Sequence, residues 1–316
     1  MAILLKESDV ENLVTMDMAI EAIEQAFKLQ GEYKVDNAPR RRSRLNKGML
    51  NVMSASLPTL GFAGLKSYSD ISGKHRFHVM LYDADGMLVA VVQADKLGQM
   101  RTGAATGVAT RYMARPNAAK LGIIGTGRQA RAQVEAVCAV RQIRSIAAYS
   151  RDPENRLKFC EEMAEKTGVK VHPAETAEEA VRDMDIIVTA TTSKTPVLMG
   201  EWLAEGAHVN AIGSNVLTSQ EIDVEAVRRC DCVVVDSHEQ ALMESGDLVH
   251  AVQKQAFYWE DARELGLVLI GEYPGREDAR EITLFESHGI ALADVALAAR
   301  IFAKAEEEGI GERLAI

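Results

Sequence analysis

Three observations predict an α/β chain of two domains. From Ala118 onward, near-continuous apolar runs alternate with helical segments, the pattern of a parallel sheet covered on both faces. The first of these runs, Leu121–Gly125, leads directly into Gly125-Thr126-Gly127-Arg128-Gln129-Ala130 and then a helix. That is a G-x-G-x-x-G/A turn in its strand-to-helix context. Upstream, strand-like runs follow one another with no helix long enough for a crossover, which reads as an antiparallel meander. The predicted architecture is a Rossmann doubly wound parallel sheet domain, 118–290, plus a discontinuous α+β substrate domain, 1–117 and 291–316.

The elements follow in chain order. Ser8-x-x-Glu11 forms a capping box for a short first helix. Asp17 caps a second, whose Ile20, Ile23 and Phe27 share a face before Gly31 stops it. The basic run Pro39-Arg40-Arg41-Arg42-Ser43-Arg44 precedes strand-like runs at 49–55, 61–69, 78–86 and 87–94, with Asp83–Gly86 as a turn. Leu97 to Ala114 reads as a helix rich in small residues, ended by Arg115-Pro116-Asn117, which marks the boundary. Beyond it the strands are 121–125, 145–150, 169–172, 185–191, 208–213 and 232–236, with the clearest helices at Pro153–Lys166 and Asp223–Arg229. After Ile282–Phe285, a last helix, Ala291 to Glu308, carries Leu292, Val295, Ala299 and Phe302 along one side. It packs back on the first domain in this reading.

Bulk properties narrow the function. At 316 residues with 47% hydrophobic and 26% charged residues, the chain suits a soluble globular protein. A net charge of −10 argues against nucleic-acid and anionic-membrane partners. The start MAILLKESDVENL has too short an apolar run for a cleavable signal, and no stretch of about 18 apolar residues is available to span a bilayer. Cys138, Cys160, Cys230 and Cys232 form no disulfide framework. The expected setting is cytoplasmic. His75 and His78 have no Cys or Asp at zinc-ligand spacing, so no metal is expected.

The glycine turn assigns roles by residue. Gly125 permits the tight turn, Gly127 lets a diphosphate approach the backbone, and Ala130 lets helix and strand pack closely. The N–H groups of Thr126, Arg128 and Gln129 open the helix, whose positive end suits a phosphate. Thr191, in Thr189-Ala190-Thr191-Thr192-Ser193 at the end of the fourth strand, is expected at the ribose or diphosphate. The second strand ends Tyr149-Ser150-Arg151-Asp152, where NAD enzymes place an acid for the ribose hydroxyls. Ser150 and the forked, charged Arg151 suit a 2′-phosphate better, which favours NADP over NAD. In the competing reading Arg151 is a solvated loop residue and Asp152 only caps the next helix.

Three cations of the first domain stand out: Lys66 in an apolar run, Arg101 at the start of a small-residue helix, and Arg40 at the head of the basic run. By spacing alone, Lys66 is equally a solvent-facing strand residue, and Arg40 fits a solvated basic face. At this point the chain resembles the ornithine cyclodeaminase/μ-crystallin family, which includes archaeal-type alanine dehydrogenases and cyclic ketimine reductases. The carriers are Pro39-Arg40, Gly64-Leu65-Lys66, Met100-Arg-Thr-Gly-Ala-Ala105, Gly125–Ala130, Asn210-Ala-Ile-Gly-Ser-Asn215 and Ser287-His-Gly-Ile-Ala-Leu-Ala-Asp294. The resemblance implies a homodimer built through the first domain and a nicotinamide cofactor in the second. It also implies that Arg40 (or Arg41) and Arg101 hold a substrate carboxylate while Lys66 polarises a carbonyl or moves a proton. Thr102, Asn215, Ser287 and Gly289 fall with the cofactor set, and His288 is the histidine to consider for proton transfer.

Two departures from the cyclodeaminase pattern matter. Where those enzymes carry a glutamate, this chain has Asn51, and where they carry an aspartate it has Asn215. An amide does not accept a proton near neutral pH, so intramolecular ring closure loses its base. Hydride transfer is less affected, since the cofactor carries that chemistry. The expectation is an NAD(P)-dependent oxidoreductase interconverting a 2-amino acid and its imino or keto acid, or reducing a cyclic ketimine acid. The alternatives are an ornithine cyclodeaminase and a cofactor-binding protein without turnover.

Overall fold

The computed structural model describes residues 2–71 and 73–315. The chain divides into two compact units, Met1–Arg101 with Ile290–Ile316, and Thr102–Gly289. The first unit opens with β1 (Ala2–Leu5), α1 (Glu7–Leu13) and α2 (Met16–Gly31). Ser8 lies inside α1 rather than capping it: the Asp9 carboxylate reaches back to the Lys6 N–H at 2.9 Å, so the helix starts earlier than the expected box. Likewise Thr15, not Asp17, caps α2, its hydroxyl accepting from the Met18 N–H, while Asp17 sits in the first turn where the helix dipole favours it.

The meander is formed by β2 (Asp36–Leu45), β3 (Gly48–Leu57), β4 (Phe62–Ile71), β5 (Lys74–Asp83) and β6 (Leu88–Gln93), each antiparallel to the next. The basic run Pro39–Arg44, which carries no strand signature, lies within β2. Its register shifts between Ala38 and Arg41: Ala38 pairs with Ser54 and Arg41 with Val52, so Pro39 and Arg40 together oppose Met53. This is a bulge, and proline, which has no N–H for the ladder, is at home there. In regular alternation Arg40 would share the exposed face of Val52. The extra residue turns it to the face of Met53, and Arg40 is buried while Arg41, Arg42 and Arg44 stay exposed.

α3 (Asp95–Met113) follows, and the second unit then winds β7 (Lys120–Ile124), α4 (Arg128–Val140), β8 (Ser145–Tyr149), α5 (Pro153–Thr167), β9 (Val171–Pro173), α6 (Ala177–Val181), β10 (Ile186–Thr189) and β11 (His208–Ala211). It continues through α7 (Val224–Arg228), β12 (Cys232–Val235), α8 (His238–Glu244), α9 (Gly246–Gln253), β13 (Ala262–Glu264), α10 (Leu265–Leu269) and β14 (Thr283–Glu286). Its sheet is parallel throughout, ordered β13-β12-β14-β11-β10-β7-β8-β9. Successive residues of β7 and β10 feed opposite cores: Ile124 and Ile187 join one apolar cluster, Ile123 and Val188 the other. The six expected strands are present, and β13 and β14 add to them; β14 inserts between β11 and β12. The division between units falls inside α3 rather than at Pro116-Asn117. α3 is one uninterrupted helix, and Gly103 already lies so close to α4 that a Cβ would stand 2.4 Å from the Ala132 carbonyl oxygen.

The chain returns to the first unit with α11 (Ala291–Glu308) and β15 (Glu312–Leu314), which completes a sheet ordered β15-β1-β6-β5-β4-β3-β2. β1 runs parallel to β6 and antiparallel to β15, so this sheet is mixed at its far edge. α11 packs across β2 to β5 and against α2. Gly64 makes that approach possible, since a Cβ there would meet the Met80 carbonyl at 2.7 Å and Val295 Cγ2 at 3.0 Å.

Candidate active site

In the first unit, cross-strand pairing gathers one face of the meander into a site. Met53, Lys66 and Val79 stand opposite one another across β3, β4 and β5, and Asn51, Tyr68 and Phe77 form the next rung. Arg40 enters from the bulge, Arg101 from α3 and Asp294 from the first turn of α11. All four ionisable groups are withdrawn from water: relative exposures are 5% for Arg40, 2% for Lys66, 9% for Arg101 and 0% for Asp294. Lys66 is therefore not the solvent-facing half of an alternation.

Asp294 Oδ1 accepts from Lys66 Nζ at 2.7 Å and from Arg101 Nε at 3.2 Å. The ammonium also lies 5.2 Å from the Phe77 ring centroid and 5.9 Å from that of Tyr68, and the Arg40 guanidinium lies 6.0 Å from Tyr68. Rings at these distances attract cations. Gly98 lies beside the lysine: a Cβ there would be in ordinary contact with Nζ, at 3.5 Å. Burial pushes the Lys66 ammonium down; Asp294 opposes this and the two arginines add to it, leaving a pKa of about 8. Two guanidiniums turned to the same buried face match the geometry of a carboxylate. Asn51 is buried, and its amide nitrogen lies 3.5 Å from the Tyr68 carbonyl oxygen.

In the second unit, a groove of about 530 Å³ opens at the carboxyl ends of β7, β8 and β10, lined by Gly125–Gly127, Tyr149–Asp152, Asn155 and Ala190–Ser193 among others. β8 and β10 flank β7 on opposite sides, so this is the switch point where open α/β sheets take ligands. Gly125 has φ +105° and no room for a Cβ, which would stand 2.4 Å from the Ala190 carbonyl oxygen. Gly127 differs: nothing lies within 4 Å of where its Cβ would be, and it caps α4 without a side-chain bond. That leaves a concave backbone surface beside a helix N-terminus, which fits a diphosphate. Ala130 is fully buried in the core under β7.

Around the groove, Thr126 Oγ bonds Ser150 Oγ at 2.8 Å, and Ser150 Oγ donates to the Asp152 carbonyl. Asp152 caps α5, its carboxylate accepting from the Glu154 and Asn155 N–H groups. The acid of this loop is thus committed to the helix, and exposed Arg151 stands on the groove's rim. Thr191 is held by Glu221, a residue with no signal in the sequence. Glu221 Oε1 accepts from the Thr191 N–H (2.6 Å) and hydroxyl (2.7 Å), and Oε2 from the Thr189 hydroxyl (2.9 Å) and Gly213 N–H (2.6 Å). One buried carboxylate so ties the end of β10 to the loop after β11 that carries half-buried Asn215.

Ser287 and Gly289 are turned to a different carboxylate. The Ser287 hydroxyl and the His288 and Gly289 N–H groups all donate to Asp236 Oδ2, at 2.8, 3.0 and 2.7 Å. The His288 ring lies between Glu286, at 3.1 Å, and Asp236, at 3.8 Å. Burial alone would lower its pKa, but these two acids outweigh it and raise it to about 10. It is an imidazolium near neutral pH, which suits a structural cation and not a general base. Of the acids that sequence reasoning passed over, Asp236 ends the apolar strand CVVVD, and Asp294 interrupts the apolar helix ALADVALAA. An acid in such a run is a readable sign of a buried partner. Thr102 follows Arg101 in α3 and is buried. Among the described residues no cluster of His, Cys, Asp or Glu has the geometry to hold a metal, and no helix is long and apolar enough to cross a membrane.

Known proteins share this architecture over its length. The chain is 43% identical to the Delta(1)-pyrroline-2-carboxylate reductase of Bacillus cereus, over 75% of this chain and 73% of that one. It superposes with a TM-score of 0.94 on the Thermococcus litoralis Delta(1)-pyrroline-2-carboxylate reductase in complex with NADH and L-proline, at 36% identity, covering 99% of this chain and 100% of the other. An archaeal alanine dehydrogenase dimer with bound NAD gives a TM-score of 0.94 at 35% identity, covering 100% and 99%. Residues 1–309 match the sequence model of the ornithine cyclodeaminase/mu-crystallin family, and the chain belongs to that family.

Proposed function

We propose that this chain is an NAD(P)-dependent oxidoreductase that interconverts a 2-amino acid and its imino or keto acid, or reduces a cyclic ketimine acid. The observation that carries this reading is the buried pair of Lys66 and Arg101 on Asp294, with buried Arg40 sharing the Tyr68 ring with the lysine. The relatives' dehydrogenase and reductase activities support it. Arg40 and Arg101 hold the substrate carboxylate. Lys66, with its pKa brought to about 8, gives up a proton in the reductive direction and takes one back in the oxidative direction near neutral pH. Tyr68 and Phe77 exclude water from the ammonium. When bound, the nicotinamide supplies or accepts the hydride at Cα.

The residues assigned to the cofactor are Thr102, Gly125–Ala130, Ser150, Arg151, Thr191, Asn215, Ser287 and Gly289. Gly127 and the start of α4 take the diphosphate, and Ser150 and Arg151 face the ribose. With Asp152 spent on α5, no carboxylate of this loop competes with Arg151, which favours NADP over NAD. Ser287 and Gly289 shape their loop through Asp236 rather than by offering donors. The first unit is assigned to substrate binding and dimerisation and the second to the cofactor. Exposed Leu45, Leu50 and Val52 on the outer side of β2 and β3 support a homodimer through that face. Free cysteines support a reducing, cytoplasmic setting, and the net charge of −10 speaks against nucleic-acid partners.

The test follows NADPH and NADH absorbance with pyruvate plus ammonia, pyruvate plus methylamine, and the cyclic pyrroline- and piperideine-2-carboxylates. Oxidation of reduced cofactor with any of these is expected. Ammonia release from ornithine with NAD+, without net cofactor reduction, would instead establish the cyclodeaminase reading, against which Asn51 and Asn215 stand. Cofactor binding with silence throughout would leave a binding protein.

A further inference from the structure

Resting on the reaction proposed above, we infer that Asp294 is a positioning residue for Lys66. Its single oxygen Oδ1 fixes the ammonium and the Arg101 guanidinium side by side, and Gly64 sets the helix approach that brings the carboxylate there. Lys66 is otherwise a flexible four-carbon arm. Among the described residues, Asp294 is the carboxylate that ion-pairs with it, at 2.7 Å. The same atom takes Arg101 Nε at 3.2 Å, which commits that edge of the guanidinium.

The pairing is not a bidentate fork. Arg–carboxylate pairs are frequently bidentate, with both oxygens engaged. Here Oδ2 is buried without a hydrogen-bond partner among the described residues. Oδ1 alone therefore serves both the ammonium and the guanidinium and keeps the two cations side by side.

The approach of α11 is equally specific. Asp294 precedes Val295, the residue whose Cγ2 would meet a Gly64 Cβ at 3.0 Å, and Gly64 lies two positions before Lys66 on β4. A side chain at 64 would meet the Met80 carbonyl oxygen and the Val295 side chain together, and so strain the seating of α11 on the sheet next to Asp294. The charged groups facing Lys66 are Arg40 from β2, Arg101 from α3 and Asp294 from α11. β3 and β5 place Met53 and Val79 opposite it, and the ion pair between α2 and α11, Glu21 with Arg300, is at the exposed surface. Asp294 is thus the group that raises the lysine's pKa against burial and both arginines.

The experiment reads Lys66 directly, by 13C NMR titration of the full-length protein labelled at lysine Cε, with the resonance assigned by Lys66→Met. Asp294→Asn is expected to lower the Lys66 titration by about one unit or more, since one unit corresponds to about 1.4 kcal/mol of lost interaction. Asp294→Glu, which keeps the charge, should restore most of that shift. Gly64→Ala leaves every polar group in place and should move the value in the same direction as Asp294→Asn. It serves independently if the asparagine variant does not fold. In reductive turnover, the alkaline limb of the kcat/KM profile should move down with the NMR value. An unchanged Lys66 titration in Asp294→Asn, or in Gly64→Ala where only that variant folds, would overturn the inference whatever the activity. A shifted titration in a wild-type protein that turns over none of the imines would overturn the reaction assignment and leave the positioning role standing.

Discussion

Replacing Arg101 by alanine tests the site assignment most directly. Its Nε is engaged by Asp294 at 3.2 Å, which leaves the two terminal amino groups for a substrate carboxylate. Hydrogen bonds to charged groups contribute about 1.5–3 kcal/mol each. Losing two of them should therefore lower kcat/KM by about 10²- to 10⁴-fold. Among the groups assigned to the cofactor, Thr102 adjoins Arg101 in the chain and the substitution leaves it in place, so the Kd for NADPH or NADH, read by fluorescence titration, should stay within about twofold, or ~0.4 kcal/mol. A second signature comes from electrostatics. Arg101 is one of the charges that depress Lys66, so its removal raises the lysine's pKa above about 8, opposite in sign to the loss of Asp294. The alkaline limb of the reductive profile should move to higher pH in the variant. Equal weakening of cofactor and substrate, or a drop in kcat/KM below tenfold, would refute the assignment of Arg101 to the carboxylate.

Three further outcomes are expected. Arg151→Ala should weaken NADPH binding by about tenfold while leaving NADH nearly unchanged, the loss being modest because an exposed charge is screened; calorimetric titration of both cofactors checks it, and equal effects would remove Arg151 from the 2′-phosphate. Gly125→Ala meets both a positive φ and the Ala190 carbonyl, so it should cost about 2 kcal/mol or more in unfolding free energy and weaken cofactor binding, read by urea denaturation and titration. His288→Gln probes linkage: the folded pKa, about 10, lies above the unfolded value near 6.5, so the imidazolium's stabilising contribution is complete below pH 6.5. It is lost as pH rises toward 10, and the wild-type advantage in stability should shrink by about 1.4 kcal/mol per unit across that window. A pH-independent difference would show that the ring acts by packing alone.

Much of this was legible from residues alone because it rests on local physics. Gly125 is needed where φ is positive and Ala130 where helix meets strand, and both needs are met within a few residues of chain. The four parallel strands nearest the groove read clearly because burial on both faces demands continuous apolar runs. β13 (Ala-Arg-Glu) and β14 (Thr-Leu-Phe-Glu) lack the continuous apolar run that marks β10 and β12, and they form strands through their parallel pairing with β12 and β11. The capping of α1 and α2 was misplaced for a similar reason: Ser8 and Asp17 are good caps in isolation, but Asp9 and Thr15 were better placed to reach the first free N–H groups.

The sequence by itself determined the fold class, the glycine turn between β7 and α4 and the identity of three unusual cations. Whether those cations belonged together was decided by tertiary structure. Arg40 faces Lys66's side of the sheet only because the bulge at Pro39–Arg40 reverses the alternation, an effect of inter-strand register that one strand's residues do not encode. Asp294, 228 residues beyond Lys66 in sequence, meets it because α11 lies flat on Gly64. Charge in a protein acquires its chemistry from what surrounds it, and only the packed sheet and helix removed the water that would have made these four groups ordinary.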